Sequence, residues 1–216
     1  MTIRRSIAAA CFDTWVRTGL LVWLLLTFSV SAWPAESAVP PLAGAQLVSA
    51  LREGGLIIYF RHASTDFGQS DEQMTGFEDC ARQRNLTDAG RAEARRIGTE
   101  ISRLNIPVGE VLASPFCRTT ETARLIFGRA EANSAVRGGP ASPENSERYA
   151  GLRSLLSAPV KPGTDLIIVS HGNPFASVAG TPYLAEGEAA VIRPMEKQGF
   201  IILARIKKDE WAALLP

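Results

Sequence analysis

Leu56-Ile57-Ile58-Tyr59-Phe60-Arg61-His62-Ala63-Ser64-Thr65 is the stretch whose reading decides the fold. A run of apolar and aromatic residues, preceded by Gly54-Gly55 and followed by small polar residues, reads as a strand buried on both faces that stops at a loop. Arg61 and His62 stand at its carboxyl end, where open α/β sheets bind ligands. The chain has one other histidine, in Asp165-Leu166-Ile167-Ile168-Val169-Ser170-His171-Gly172, and that stretch repeats the plan of aliphatic strand, histidine and glycine. Two such strands lying parallel would bring both histidines to one edge of one sheet. A lone histidine is more often a packed or surface residue than a catalyst; two in matching positions point to a site.

The 216 residues suit one domain with a full-sized core. The near balance of 23 Lys+Arg against 22 Asp+Glu gives no sign of a polyanion binder, so nucleic acid is not an expected partner. Before the fold come Arg4, Arg5 and Arg17, then Leu20-Leu21-Val22-Trp23-Leu24-Leu25-Leu26, then Val30-Ser31-Ala32, a small-x-small pattern suited to signal peptidase. Residues 1–32 are therefore expected to be a secretory signal, with a second cutting point after Ala38. The rival reading is an uncleaved anchor, the protein's only contact with a membrane, but the apolar stretch is short against the ~20 residues that a spanning helix needs. A twin-arginine route through Arg4-Arg5 fits less well, because the apolar core lies far downstream and Asp13 intervenes. The expected location is the periplasm or the medium.

Cysteine usage fits that compartment. Cys11 leaves with the signal, and Cys80 and Cys117 remain as an even pair in an oxidising environment. A disulfide between them is one reading, although sequence alone does not give their separation. Zinc is not expected, since His62, Cys80, Cys117 and His171 follow no compact ligand spacing.

Residues 33–45 are rich in Pro and Ala and read as a linker, with residues 46–216 as the folded domain. Leu47, Val48 and Leu51 share a helical face that Gly54-Gly55 ends. Residues 66–85 turn polar and form a loop long enough to suggest a functional purpose, leaving the strand end that carries His62 and able to cover it. A helix follows Thr87, whose hydroxyl caps it, with Ala94, Ile97, Ile101 and Leu104 inward and Arg91, Arg95, Arg96, Glu100 and Arg103 toward solvent. Val111-Leu112-Ala113 is a second short strand. Residues 131–142 read as irregular, a helix starting at Ser142-Pro143 buries Tyr149, Leu152 and Leu156, and His171 leads into a loop with Gly180 and Pro182. Two strands, 189–193 and 200–206, close the sheet as a hairpin.

In Ser114-Pro115-Phe116-Cys117-Arg118-Thr119-Thr120-Glu121-Thr122-Ala123, Ser114 reads as a cap and Pro115 as the first helical residue, which puts Arg118 in the opening turn. A cation there opposes the helix dipole and makes sense if an anion binds between it and the free backbone N–H groups. The bland alternative is a pair with Glu121 or another carboxylate.

Four stretches together resemble the histidine phosphatase superfamily, which includes phosphoglycerate mutases and histidine acid phosphatases. Arg61-His62-Ala63 matches the Arg-His-Gly signature except at its third position. Asn85-Leu86-Thr87-Asp88-Ala89-Gly90-Arg91 is similar to the "LTxxGxxQA" helix start, the Ser114 stretch to "SPxxRxxxTA", and Ser170-His171-Gly172 to the second histidine motif. The resemblance implies an α/β three-layer sandwich with a mostly parallel central sheet flanked by helices, phosphoglycerate mutase-like with a short or absent cap. It implies His62 as a nucleophile that takes the phosphoryl group, and Arg61, Arg118 and His171 as donors to its equatorial oxygens. No metal and no cofactor are expected.

The leaving alkoxide needs a proton. Histidine acid phosphatases carry an aspartate after the second histidine, where this chain has Gly172, so the acid must come from elsewhere. Glu188, just ahead of a strand, is the favoured donor, with Glu186 beside it, Glu147 as a superficial match to the acid segment of phosphoglycerate mutases, and a loop acid such as Asp66 as a further alternative. Alanine at position 63 would be strained if the family glycine has positive φ. The expected substrate is a phosphorylated small molecule or an envelope glycan. Rival readings are a phosphate- or phosphoglycan-binding module without turnover, an interaction role for the fold, and a mutase-like transferase.

Overall fold

The computed structural model describes residues 40–139 and 147–215, so the expected signal and most of the linker lie outside the described residues. The first helix, α1 (Gly44–Glu53), buries Leu47, Val48 and Leu51 and ends at Gly54, whose φ is 73°. Strand β1 (Ile57–Arg61) follows, then the long loop with a single 3₁₀ turn at Cys80–Arg82. Helix α2 (Asp88–Arg103) starts where Thr87 Oγ1 accepts a hydrogen bond from Gly90 N. Strand β2 (Val108–Ala113), α3 (Cys117–Phe127), β3 (Glu131–Ala132), α4 (Ala150–Ser157), β4 (Asp165–Ser170), α5 (Gly172–Ala179), β5 (Ala189–Pro194) and β6 (Phe200–Ile206) complete the order.

These strands form one sheet in the order β3-β2-β4-β1-β5-β6. β1, β2, β3 and β4 run parallel, and β5 and β6 are added antiparallel as the expected hairpin. Side chains alternate across the sheet. Ile58 and Phe60 pack with Leu51, Ala94, Ile97 and Ala123 beneath α1, α2 and α3. Ile57 and Tyr59 pack with Leu152, Leu156 and Phe175 beneath α4 and α5. A strand buried on both faces thus builds two cores, which gives the three layers that the apolar run of β1 requires.

Three local expectations are corrected. Helix α3 begins at Cys117 with Phe116 as its N-cap residue, because the Ser114 hydroxyl is turned toward His171 instead of capping. The segment after His171 is helical: Pro174 lies in the first turn of α5, where a missing N–H costs nothing. Within the segment read as irregular, Glu131–Ala132 pairs with the end of β2. The expected start at Ser142-Pro143 lies outside the described residues; Tyr149, Leu152 and Leu156 are buried as expected.

Candidate active site

Three parallel strands end side by side and deliver the site. Arg61 is in register with Ser170, and His62 N donates to Ser170 O at 3.0 Å, so His62 and His171 leave the sheet as neighbours. Their ring centroids are 5.4 Å apart. On the other flank of β4, Ser114 N bonds Val169 O, and Ser114 Oγ lies 2.8 Å from His171 Nε2. The expected convergence of the two histidines at one sheet edge is what the structure shows.

His62 is almost fully buried, with Nδ1 2.9 Å from the carbonyl of Ala63. An Nδ1–H donated to that oxygen leaves the Nε2 lone pair free. Burial, and then the guanidinium groups of Arg118, Arg61 and Arg84, push its pKa down to about 3 against the pull of the Ala63 carbonyl. Burial, followed by His62 and the same arginines, holds His171 well below the usual imidazole range. Both rings are therefore neutral at neutral pH in the unliganded site, the state a nucleophile needs.

Arg61, His62, Arg84, Arg118 and His171 line one pocket of about 370 Å³. Arg118 is 5% exposed, lies in the first turn of α3, and covers the Phe116 ring at 4.4 Å from the centroid. Its carboxylate partner is Asp71 at 2.9 Å, while Glu121 pairs with Arg91 instead. Arg61 donates to Leu184 O and to Glu186 Oε1. The Nε atoms of Arg61, Arg84 and Arg118 are all buried without a hydrogen-bond partner among the described residues. Buried N–H donors left unpaired cost about 1–3 kcal/mol each, which an arriving acceptor recovers. Two of the three cations have a carboxylate beside them, and Arg84 has none among the described residues. The site therefore favours an anion.

Sequence reasoning missed Arg84 and Asp71. Both belong to the 66–85 loop, which is fastened to α3 by the Asp71–Arg118 ion pair, by Arg118 Nη1 donating to Arg84 O, by Gln83 Oε1 accepting from Cys117 N at 2.9 Å, and by a disulfide joining Cys80 to Cys117. The signal in the sequence was Arg84 itself, directly ahead of the Asn85-Leu86-Thr87 motif at the point where the loop returns. The disulfide also removes both sulfurs from consideration as zinc thiolates. Gly90 of that motif permits a close approach, because a Cβ there would meet the carbonyl oxygen of Ser64.

The carboxylates weighed as proton donors separate cleanly. Glu188 is 7% exposed, but it accepts from Arg205 Nε and Ala185 N and does not line the pocket, so its expected catalytic place is corrected to a structural one. Glu186 lies behind Arg61 and His62, also off the pocket wall. Glu147 is exposed on a 3₁₀ turn ahead of α4, and Asp66 is exposed and caps Gly68 N. Among the described residues, the carboxylate that does line the pocket is Asp71. Ala63, buried in the core, is not among the residues of positive φ, so its methyl brings no backbone strain.

A family model described as the histidine phosphatase superfamily (branch 1) matches residues 57–139, which takes in the first three of the four motifs and bears out the resemblance. No curated protein matches the chain by sequence. Among solved structures, the protein histidine phosphatase SixA complexed with tungstate is similar at 16% identity and a TM-score of 0.50, over 71% of this chain and 97% of that one. A mycobacterial glucosyl-3-phosphoglycerate phosphatase in complex with inorganic phosphate is similar at 12% identity and a TM-score of 0.52, over 72% of this chain and 99% of that one. The fold is that of the phosphoglycerate mutase-like histidine phosphatases.

Proposed function

We propose that this chain is an exported, metal-independent phosphomonoesterase that passes the phosphoryl group of its substrate through His62. The observation that carries the reading is a neutral, buried imidazole with Nδ1 tied to the Ala63 carbonyl, facing a pocket of three guanidinium groups and a second histidine. His62 Nε2 attacks phosphorus in line, and a hard hydrolysis becomes two transfers, first to nitrogen and then to water. Arg61, Arg84, Arg118 and His171 meet the charge on the equatorial oxygens, together with the first N–H groups of α5 at Gly172 and Asn173. Fixed cations supply what a metal would.

For the leaving group, position favours Asp71. Its Oδ1 takes both Arg118 Nη1 and Arg84 N, while Oδ2 makes no hydrogen bond among the described residues. Phosphoryl oxygens compete for Arg118, and the Asp71 carboxylate so released takes a proton from solvent and passes it to the departing alkoxide.

Export is supported by the Arg4, Arg5 and Leu20–Ala32 features of the sequence and by the bonded cysteine pair. A small or glycan-linked phosphate ester is supported by the pocket's mouth. Tyr183, half exposed, stands on its wall, and Phe67, 72% exposed, stacks beneath the Arg84 guanidinium; both rings offer a flat face to a sugar. A mutase would have to shield its phosphoenzyme from water, which a mouth left open by the described residues does not favour.

The test is hydrolysis of a panel of phosphomonoesters by the purified protein in the presence of chelator, with His62→Ala alongside. Turnover by the wild type alone supports the proposal. Equal turnover by His62→Ala, or activity lost to chelator and restored by zinc, overturns its mechanism. No turnover, with phosphate or vanadate still raising the melting temperature, would make the chain a binding module.

A further inference from the structure

The loop ahead of β5 is stitched to the nucleophile's own backbone. Gly187 N donates to His62 O at 2.9 Å and Arg61 N donates to Glu188 O at 3.0 Å. Gly187 takes a φ of 77°, open to glycine, and this turns Glu186 to the side opposite Glu188. The Glu186 carboxylate accepts Thr65 Oγ1 at 2.7 Å and Thr65 N at 3.1 Å, and pairs with Arg61 Nη2 at 3.4 Å. Its Oε1 is 3.9 Å from His62 Nδ1, with the side chain 14% exposed. Because Nδ1 is the nitrogen turned to Ala63 and the pocket lies on the Nε2 side, Glu186 is poorly placed to give a proton to a leaving group. It is well placed to feel the charge of the ring.

We propose that Glu186 is a positioning residue that stabilises the positive charge which the His62 ring acquires on phosphorylation, and that holds Arg61 in line with it. The inference rests on the phosphohistidine reading above. In the first step the Nε2 lone pair forms the P–N bond and the P–O ester bond breaks, its electron pair leaving with the alkoxide, which takes up a proton. The ring keeps Nδ1–H and becomes cationic. Only then are Nδ1 and Glu186 an ion pair, so the carboxylate acts more strongly on the transition state than on the resting site. In the second step water attacks phosphorus, the P–N bond breaks, its pair returns to Nε2, and the water's proton passes to solvent. Glu186 thus does for this nucleophile what a buried carboxylate does for the histidine of a hydrolytic triad.

The test is Glu186→Gln in the full chain, assayed in single turnover with an aryl phosphate, whose leaving group needs no acid. Glutamine Oε1 still accepts from Thr65 Oγ1 and Arg61 Nη2, while the bond from Thr65 N and the charge are lost. The rate of phosphoenzyme formation should fall roughly 10- to 100-fold, the range seen when the partner behind a metal-ligating histidine is removed. Affinity for inorganic phosphate should change by less than about threefold, because the glutamine oxygen still accepts from Arg61 and keeps that phosphate ligand in place. Thr65→Val is the second variant: it removes one hydrogen bond but leaves the carboxylate charge, and it should form the phosphoenzyme within about threefold of wild type. An unchanged rate in Glu186→Gln overturns the proposal. So does a loss confined to alkyl phosphates, which would make Glu186 the proton donor, or a loss in Thr65→Val as large as that expected of Glu186→Gln, which would make the effect one of scaffold alone. If the wild type forms no phosphoenzyme, it is the phosphatase reading that fails.

Discussion

Replacing Cys80 and Cys117 with serine tests how the pocket is assembled. The two residues are separated by 37 positions, and their bond closes a ring, residues 80–117, that holds Gln83 and Arg84 and ties to α3 the loop that carries Asp71. Closing a loop of that length removes about 13 cal/mol/K from the unfolded chain, or about 4 kcal/mol of folding stability at 25 °C. That is a large share of the roughly 5–15 kcal/mol that holds a domain together. Beyond that bond the loop is held by polar contacts, chiefly the Asp71–Arg118 pair and Gln83 at the start of α3. Residues from Asp66 to Arg82 are mostly exposed, and its ends are pinned by the Thr65–Leu86 bridge and by Asp66 N bonding Asn85 O.

Urea unfolding of the double serine variant should show the unfolding free energy reduced by about 4 kcal/mol, with a steeper m-value because the uncrosslinked denatured chain exposes more surface. Wild type in a dithiol reductant should match the variant. The pocket should suffer as well: without the tether, Gln83 must find the N-terminus of α3, and Asp71 must find Arg118, at the cost of ordering the loop. Phosphate affinity should then fall by about tenfold, the equivalent of about 1.4 kcal/mol of lost preorganisation. A variant that lost less than about 1 kcal/mol and bound phosphate as wild type does would refute the reasoning. The loop would then be held by its polar contacts alone.

Three further outcomes follow from buried groups. Asp165 is fully buried, with Oδ1 accepting from Leu56 N and Oδ2 without a partner among the described residues, and burial raises its pKa to about 7. Between about pH 4 and pH 7 the folded state holds a proton that the unfolded state has released, so stability should fall as pH rises through that window, by up to about 4 kcal/mol, and level off above it. Asp165→Asn should flatten that stretch of a denaturation-versus-pH curve; an unaltered slope would assign it to other groups. Ala63→Gly, which restores the residue found in the family signature, should destabilise by about 1–2 kcal/mol through a lost buried methyl and a freer backbone, with kcat unchanged, since the backbone there is unstrained. Glu188→Gln should lower the melting temperature, because Arg205 Nε and Ala185 N lose a charged acceptor worth about 1.5–3 kcal/mol, and should slow alkyl and aryl phosphates alike or not at all. A selective loss with poor leaving groups would return Glu188 to the chemistry.

What the sequence made legible was chemistry fixed by short-range geometry. The apolar run of β1 and its counterpart at Ile167-Ile168-Val169 declare strands buried on both faces, and a histidine directly after each places both at the carboxyl edge, whichever neighbours the strands have. Thr87 capping α2 and Arg118 in the opening turn of α3 are equally local. What was illegible is partner choice across long separations. The α3 N-terminus is met by Gln83 and not by Ser114, because a loop fastened through Cys80 brings an amide oxygen there while the serine hydroxyl meets His171 on the neighbouring strand. The loop's polar residues have no periodicity from which Asp71 and Arg84 could be singled out. The sharpest case is the pair Glu186 and Glu188. They are two residues apart and chemically identical, and the sequence favoured Glu188 only for standing just ahead of a strand. The left-handed turn at Gly187 sends one to Thr65, Arg61 and the back of His62, and the other to Arg205. The sequence puts two carboxylates just ahead of β5; one backbone angle decides which of them faces the His62 ring and which faces Arg205.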